Sequence, residues 1–364
     1  MKLTREVRVL KLIARDQIDY LPSHMYFSST ETKEKVRLAL GFSTMDDLDG
    51  YLDCHLYYAF ALDDTIFRYR EDAEKLRWVE SLGFCRIDWH SGVVYDRWGV
   101  GLDMHSPGYC VRHHPLRGKG PEAWKSYRVP DVTHPQIMLE AAPAVQEHSG
   151  EYLVICPGYN GIFERAWQIT GFDEFMMGMY SEPALIEKFL DEITDFKVEM
   201  AKKVVAAGFK CGHTGDDFGT QSRPLMSVAA WRRFFKPRWG RVWRVFKEAG
   251  LPVIHHSCGH VTDLIPDMID IGLDVLEPVQ PVMDLAYLKR EFGKHIVFWG
   301  GIDTQHILPY GTPDEVRSHV SDVIRTLGRG GGLIIAPSQE IMPDVPVGNI
   351  VSLVETIRRC RTDY

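Results

Sequence analysis

Residues 251–259 of this chain read Leu251-Pro252-Val253-Ile254-His255-His256-Ser257-Cys258-Gly259. The apolar run 253–256 predicts a short strand that ends in a polar, glycine-bearing segment. Helix-like segments flank it at 228–249 and 261–271, and a glycine suited to a helix C-terminus follows each of them. This strand between two helices is the unit from which we predict the fold.

The alternation of strand and helix repeats from about residue 150 onward. Strands are predicted at 152–156, 209–213, 253–256, 275–279, 296–300 and 333–336, and helices at 183–206, 228–249, 261–271, 285–292 and 313–327. Repetition of this kind forces parallel pairing through right-handed crossovers. Such strands could form an open doubly wound sheet or most of an eight-stranded barrel.

The ends of the predicted strands favour the barrel. Polar or glycine-bearing segments follow them at 157–160, 215–217, 257–259, 301–303 and 338–340, and a barrel assembles its active site from several strand ends. A doubly wound sheet would usually carry a glycine-rich phosphate fingerprint, which the sequence lacks. We therefore predict an α/β fold, a (β/α)8 TIM-type barrel, as a single domain over residues 1–364.

The first 150 residues are less regular. Helices are predicted at 32–40 and 44–61, and the segments 93–95 and 109–112 predict a hairpin-like insertion. We expect the domain to consist of an N-terminal helical, aromatic-rich extension with the first elements (1–90), a capping insertion (91–150) and the barrel core (151–364).

Composition and charge argue against several classes of protein. The net charge of −8 argues against a general nucleic-acid binder, which would present a basic face. No apolar run approaches the ~18 residues that span a membrane, and the charged N-terminus lacks the apolar region of a signal peptide. The seven cysteines are scattered, as is typical of reduced thiols in the cytosol. We expect a soluble cytoplasmic protein.

His256 and Cys258 are the strongest candidates for chemistry. They lie two residues apart, so on an extended backbone their side chains point to the same side. Imidazole and thiolate are both good zinc ligands. The alternative is a buried cysteine beside a core histidine, because cysteine is among the most buried residue types.

Several short motifs follow one another along the chain. They are Asp96-Arg97-Trp98-Gly99-Val100, Gly215-Asp216-Asp217-Phe218-Gly219-Thr220-Gln221, His256-Ser257-Cys258-Gly259, Glu277-Pro278-Val279-Gln280-Pro281, Gly300-Gly301-Ile302-Asp303-Thr304 and Ala336-Pro337-Ser338-Gln339-Glu340. In their order and spacing they resemble the uroporphyrinogen decarboxylase superfamily of (α/β)8 barrels, over roughly residues 90–356. Within it, the chain resembles the branch that contains zinc-dependent corrinoid methyltransferases.

The resemblance implies a metal centre. The branch carries a His-x-Cys pair, matched by His256 and Cys258, and a distant third ligand, often Cys, in a strand-end loop near the C-terminus. Here that loop holds no Cys or His; Gln339 occupies the matching place and Glu340 is adjacent. An oxygen ligand would make zinc a harder Lewis acid. The alternative is a weakened or lost site, with the pair in a metal-free polar cluster.

Three carboxylates are candidate catalytic residues. Asp216 and Asp217 end a predicted strand and face different ways, so at most one is expected to point inward. That one could be a further ligand, a partner of His256 or a proton donor; the alternative is a helix N-cap or a loop salt bridge. Glu277 follows another strand and is a candidate acid or ligand, with a structural carboxylate as the alternative.

Further residues are candidates for binding substrate. They are Tyr26, Glu164, Gln221, Gln280 and Asp303, each close to the predicted mouth of the barrel. Aromatic residues near the mouth would suit a flat apolar substrate such as an aryl methyl ether, although aromatics at these spacings are also typical of a plain core. These aromatic residues are Tyr26, Phe27, Trp98, Tyr159, Trp167 and Phe218.

The resemblance implies transfer of a methyl group between a small methylated substrate and a corrinoid carried by a partner protein, with zinc as Lewis acid. One alternative is a metal-free decarboxylase of polycarboxylate substrates, but residues 19–26 lack the arginines that related decarboxylases use to bind carboxylates. Another is a non-catalytic barrel that binds a corrinoid protein. The methyl donor, the acceptor, the direction of transfer and the oligomeric state stay open.

Overall fold

The structure is a computed structural model that describes residues 3–64, 66–70, 72–106 and 109–364. Its helices are α1 (Arg5–Ile13), α2 (Thr30–Ala39), α3 (Met45–Leu52), α4 (Ala73–Ser81), α5 (Gly120–Ser126), α6 (Ala141–His148), α7 (Ile162–Thr170), α8 (Phe172–Ser181), α9 (Pro183–Ala206), α10 (Val228–Phe234), α11 (Lys236–Glu248), α12 (Ile265–Asp270), α13 (Leu285–Phe292), α14 (Ile307–Tyr310), α15 (Pro313–Val323) and α16 (Val347–Cys360). Its strands are β1 (Leu56–Tyr58), β2 (Cys85–Asp88), β3 (Val93–Asp96), β4 (Gly101–Asp103), β5 (Val111–His113), β6 (Leu153–Ile155), β7 (Gly212–Gly215), β8 (Val253–His256), β9 (Val275–Val279), β10 (Val297–Ile302) and β11 (Leu333–Pro337).

A parallel sheet lies at the centre, with the strand order β11-β10-β9-β8-β7. Every residue of β10 and β11 is buried, as expected for parallel strands that are covered on both faces. Because the strands are parallel, their carboxyl ends share one edge of the sheet. The polar strand ends predicted from the sequence therefore lie along the same edge.

A second parallel pair, β1 and β6, is joined to both edges of the central sheet through backbone hydrogen bonds. The donor and acceptor pairs are His24 N–H to Ile335 O (2.9 Å), Ile335 N–H to Pro22 O (2.8 Å), His55 N–H to Ser23 O (3.0 Å) and Gly215 N–H to Gly158 O (2.8 Å). The hydrogen-bonded order thus runs from β7 to β11, through residues 22–24, β1 and β6, and returns to β7.

The predicted insertion is a four-stranded antiparallel sheet with the order β2-β3-β4-β5. The expected hairpin of 93–95 and 109–112 was therefore too small, and the sheet begins at Cys85, before the predicted boundary at residue 91. β2 was missed because its burial is mixed: Ile87 is buried, whereas Arg86 is exposed. A strand of this kind lacks the continuous apolar run that identified the central strands.

Several predicted elements have different bounds in the structure. The helix predicted at 44–61 ends at Leu52, since Asp53 adopts a left-handed conformation (φ 50°), and Leu56–Tyr58 pairs as a strand. The helix predicted at 228–249 is divided at Phe235, because Pro237 occupies the first turn of a new helix. The strand predicted at 209–213 is instead Gly212–Gly215, in register with β8.

Helices pack their apolar faces onto the sheets to form one contiguous cluster of buried residues, from Val9 in α1 to Ile357 in α16. The seven cysteines are free thiols. In the part of the chain that the structure describes, no helix combines the length and the apolar character needed to cross a membrane.

A buried ion pair connects the antiparallel sheet to the helix that follows β6. Arg165 Nη1 of α7 lies 2.5 Å from Asp96 Oδ2 of β3, and the two side chains are 1% and 4% exposed. The other carboxylate oxygen of Asp96 accepts the backbone N–H groups of Trp98 and Val100, both at 2.9 Å. Asp96 therefore holds its own turn and fixes the insertion against α7.

We expect Asp96→Ala to lower the free energy of unfolding by about 3–5 kcal/mol, because it removes the carboxylate of a buried ion pair. Asp103→Ala, on the neighbouring strand β4, is the matched control: its carboxylate binds the exposed His105 N–H, and about 1 kcal/mol or less is expected. Urea unfolding followed by circular dichroism measures both. Equal effects of the two substitutions would show that the ion pair does not brace the insertion.

Candidate metal centre

Three side chains with metal-ligating atoms converge at the carboxyl ends of β7 and β8. Their potential ligand atoms, on Asp217, His256 and Cys258, all lie within 4.8 Å of one another. His256 Nε2 lies 3.3 Å from Cys258 Sγ and 3.5 Å from Asp217 Oδ1. The structure thus brings together the predicted His-x-Cys pair and adds a carboxylate from the adjacent strand end.

Glu277 determines how the imidazole of His256 is oriented. Its Oε2 lies 2.6 Å from His256 Nδ1, and the two residues are directly opposed on β8 and β9. Burial opposes the charged imidazole, but the Glu277 carboxylate raises the pKa of His256 well above its ordinary value. Burial would likewise raise the pKa of Glu277, yet His256 and His213 hold it below its usual range. His256 therefore presents Nε2 to the cluster while Nδ1 is occupied.

Backbone hydrogen bonds fix the loop that carries Cys258. The Cys258 N–H donates to Asp217 Oδ1 at 2.8 Å, and the Gly259 N–H donates to Gln280 Oε1 at 2.6 Å. Burial raises the pKa of the Cys258 thiol to about 11, with His256 acting in the opposite direction.

The two residues predicted as the third ligand are placed differently. Gln339 Nε2 lies 2.7 Å from Cys258 Sγ, so rotation of the amide would turn its oxygen toward the cluster. Glu340 is half-buried and not part of the cluster of mutually close ligand atoms, and burial raises the pKa of its carboxyl group. Asp217, predicted as a further ligand, a partner of His256 or a proton donor, is the third member of the cluster in place of these two.

The donor set fits zinc. Nitrogen, sulfur and oxygen atoms bind Zn²⁺ at about 2.0–2.3 Å, which places tetrahedral donors roughly 3.3–3.6 Å apart. The separations of 3.3 and 3.5 Å from His256 Nε2 match that spacing before any metal is considered. The fixed orientation of His256 by Glu277 is also typical of metal-binding histidines.

The neighbouring carboxylates Asp216 and Asp217 face opposite environments. Asp216 is fully buried, and its oxygens accept the backbone N–H groups of Ile162, Phe163 and Glu164 at 2.8–3.0 Å and the indole N–H of Trp239 at 3.2 Å. It therefore caps the N-terminus of α7, where a carboxylate also complements the helix dipole. This placement agrees with the structural alternative for Asp216, whereas Asp217 is the one that faces the cluster.

We expect Asp216→Ala and Asp217→Ala to have contrasting effects. Loss of the Asp216 carboxylate leaves three helix N–H groups and an indole N–H unpaired, so the free energy of unfolding should fall by about 3 kcal/mol or more. Asp217→Ala should cost about 1 kcal/mol or less in stability but weaken Zn²⁺ binding. Thermal unfolding and a competing-chelator titration measure the two properties. A large loss of stability in Asp217→Ala, together with weaker Zn²⁺ binding in Asp216→Ala, would contradict these roles.

The remaining predicted residues lie around the cluster at different depths. Glu164 is half-buried, and burial together with Asp217 raises the pKa of its carboxyl group well above the usual range. Gln280 and Asp303 line a cavity of about 200 Å³, and Gln280 connects it to the loop of Cys258 by accepting the Gly259 N–H. The Tyr26 ring packs against Tyr58, with ring centroids 5.2 Å apart. Gln221 is exposed in the loop after β7.

One residue near the cluster, His213, was not predicted from the sequence, and Tyr159 was predicted only as an aromatic residue near the mouth of the barrel. His213 is buried on β7, and its Nε2 lies 3.7 Å from Glu277 Oε2. The Tyr159 ring packs edge-on against His256 and His213, at centroid distances of 5.2 and 5.3 Å. A strand placed at Gly212–Gly215 rather than 209–213 would have shown that His213 lies two residues before the strand end and shares a face with it.

A family model for uroporphyrinogen decarboxylase (URO-D) matches residues 91–360, which include the whole cluster. The chain belongs to the uroporphyrinogen decarboxylase family. The resemblance seen in the motifs is thereby confirmed.

Members of this family with different activities resemble the chain. A methylcobamide:CoM methyltransferase from Methanosarcina barkeri is 27% identical over 217 residues, which cover 60% of this chain and 61% of that protein. The match thus spans about three fifths of that relative's length. A uroporphyrinogen decarboxylase from Thermus thermophilus is 28% identical over 296 residues, covering 77% of this chain and 81% of that protein.

A solved structure shares the fold. It is a methyltransferase from Methanosarcina mazei with a TM-score of 0.68 and 19% sequence identity, and the superposition covers 98% of this chain and 99% of that one. The α/β fold predicted from the sequence is confirmed by this likeness.

Proposed function

We propose that this protein transfers a methyl group between a small methylated substrate and a reduced corrinoid held by a partner protein, with Zn²⁺ bound at the end of β8. The observation that carries the proposal is the convergence of His256, Cys258 and Asp217 at zinc-ligand spacing. Relatives named methylcobamide:CoM methyltransferases support the reaction class.

The closed hydrogen-bonded order of strands supports a (β/α)8 barrel. It contains β7 to β11, residues 22–24, β1 and β6, each joined to its neighbours by backbone hydrogen bonds, which is the ring that such a barrel requires. The contiguous core supports a single domain. A cytoplasmic location stays a prediction from the scattered free cysteines.

His256, Cys258 and Asp217 would hold the metal, and Gln339 is better placed than Glu340 to approach it. Bound zinc would polarise an ether oxygen or lower the pKa of a thiol, so that the heteroatom leaves or attacks more readily. Glu277 keeps His256 Nε2 directed at the cluster. The hydrogen bond from the Cys258 backbone N–H to Asp217 Oδ1 holds two of the proposed ligands close together.

In the direction of demethylation, the bond between the methyl carbon and the heteroatom breaks, and its electron pair stays on the heteroatom, which takes up a proton from solvent. The electron pair for the new bond to the methyl carbon would come from the reduced corrinoid of the partner protein. Gln280 and Asp303, which line the cavity of about 200 Å³, are proposed to bind substrate, together with Glu164 and Tyr26. Gln221 would contact it only at the rim.

Aromatic side chains favour an apolar, flat substrate such as an aryl methyl ether. Tyr26, Tyr58 and Tyr159 are half-buried near the cluster, and their rings contact one another or His256. Aromatic rings offer large apolar contact area in offset or edge-on geometry.

Decarboxylation of a polycarboxylate is the weaker candidate, although one relative carries that name. The carboxylates of Asp217, Glu164, Glu277 and Glu340 lie at or beside the strand ends. Burying a substrate with many carboxylates among them would add like charges in a poorly hydrated site. A non-catalytic role in binding a corrinoid protein would leave the zinc-ligand spacing without a purpose.

Metal content tests the centre directly. We expect about one zinc per chain in protein purified without an affinity tag, and loss of that zinc in His256→Ala and Cys258→Ser, because each removes a ligand of a site with few ligands. Cys110→Ser, which replaces an exposed free thiol, is the matched control and should keep its zinc. Elemental mass spectrometry gives the stoichiometry. Absence of metal even after reconstitution with Zn²⁺ would overturn the proposal.

Methyl transfer tests the activity. With a panel of methyl donors and reduced free corrinoid, the parent protein and Cys110→Ser should turn over at the same rate. Cys258→Ser and Asp217→Ala should be about 100-fold slower or worse, since several kcal/mol of Lewis-acid stabilisation is lost. The absorbance change of the corrinoid reports the rate. A metal-loaded protein that demethylates no donor but still binds a corrinoid protein would favour the non-catalytic alternative.

A further inference from the structure

Glu277 is shared by two histidines on adjacent strands. Its Oε2 is 2.6 Å from His256 Nδ1 of β8 and 3.7 Å from His213 Nε2 of β7. The side chain of Glu277 is 12% exposed, and that of His213 is not exposed. A carboxylate this far from water is costly unless polar groups satisfy its oxygens, and His213 is the second such group beside it.

The nitrogens of His213 have no other partner among the described residues. Neither Nδ1 nor Nε2 makes a hydrogen bond within ordinary distance, whereas nearly all buried polar groups in folded proteins are paired. The ring is also held in place, because Tyr159 packs edge-on against it and against His256. Among the described residues, the approach of His213 Nε2 to the Glu277 carboxylate is therefore the polar contact that explains why a histidine is buried at this position.

Strand pairing places the three residues side by side. Gly215 of β7 is opposite His256 of β8, and His256 is opposite Glu277 of β9. His213 precedes Gly215 by two residues on the same strand, so its side chain lies on the same face. His213 thus lies two residues further from the carboxyl end of the sheet than the level of His256, and it approaches Glu277 from the amino-terminal side of the strands.

We propose that His213 is a positioning residue of the candidate metal centre. Its Nε2, 3.7 Å from Glu277 Oε2, attracts the Glu277 carboxylate, which favours the orientation in which that carboxylate accepts the Nδ1–H of His256 and His256 Nε2 is directed at the metal. The inference rests on the proposed metal-dependent function, but it concerns the affinity for metal rather than methyl transfer. Outer hydrogen-bond partners of metal-binding histidines change metal affinity by about 10–100-fold when they are removed.

The test compares His213→Phe, which keeps the ring shape without the donor, with His213→Gln, whose amide can still donate to Glu277. Affinity for Zn²⁺, measured against a competing chelator, should fall about 10–100-fold in His213→Phe and by about 3-fold or less in His213→Gln. The absorption spectrum of the Co²⁺-substituted protein should shift in the first variant and match the parent in the second. A merely structural role would not predict rescue by the amide.

His255→Phe is the matched control for disturbance of the core. His255 is equally buried and directly precedes His256, but it faces the opposite way, with Nδ1 2.9 Å from Thr214 Oγ1 and the ring between Trp239 and Trp243. Its substitution should change Zn²⁺ affinity by about 3-fold or less. If His213→Phe fails to fold, His213→Asn takes its place, because its shorter amide does not reach Glu277; it should weaken binding as His213→Phe would.

A double-mutant cycle with Glu277→Gln decides whether His213 acts through Glu277. In the Glu277→Gln background, His213→Phe should have no further effect on Zn²⁺ affinity. Unchanged affinity in His213→Phe, or effects of the two substitutions that simply add, would overturn the inference while leaving the metal centre intact.

A parent protein that binds no metal would instead overturn the proposed function. The same cycle is then measured by the free energy of unfolding of the metal-free protein. Coupling between positions 213 and 277 would support the contact, and its absence would overturn it.

Discussion

The close approach of two loop backbones holds the candidate metal centre together. The loops after β7 and β8 touch at Gly219 and Gly259, where a Cβ on Gly219 would lie 2.5 Å from the Cys258 carbonyl oxygen. Gly259 also has a φ of 84°, which disfavours any side chain there. Only with glycine at both positions can the Cys258 N–H reach Asp217 Oδ1, so that the third donor joins the His-x-Cys pair.

Several carboxyl groups are buried close to this contact, and burying their negative charges together is electrostatically unfavourable. Asp216 satisfies its charge with the N-terminus of α7, and Glu277 with His256. Burial raises the pKa of the carboxyl groups of Asp216, Glu164 and Glu340, against the opposing effect of the α7 N–H groups on Asp216 and of His256 on the other two. A divalent cation bound by Asp217 would reduce this accumulation of negative potential, which is a physical reason for a metal at this strand edge.

Much of the fold and part of the site could be predicted from residue patterns. The apolar strands of the central sheet and the helices between them were found because buried parallel strands leave continuous apolar runs. His256 and Cys258 were found because residues two apart on an extended backbone point to the same side, although β8 ends at His256 and Cys258 lies in the loop that follows. The mixed strand β2 was missed, since tertiary packing rather than local pattern decides it. The division of the helix at Phe235 was also missed, although Pro237 is a local signal for the start of a new helix.

The alternation of strand and helix, the family motifs and the His-x-Cys pair can be read from residue patterns, because these depend on periodicity and on neighbours along the chain. Tertiary packing, in contrast, assigns each carboxylate its role. Asp216 and Asp217 are adjacent in the sequence and chemically identical, yet one caps α7 and the other faces Cys258. The same holds for His213, whose partner Glu277 lies on a strand two places away in the sheet. Contacts between residues distant in sequence arise only when the strands pair, so no local pattern records them.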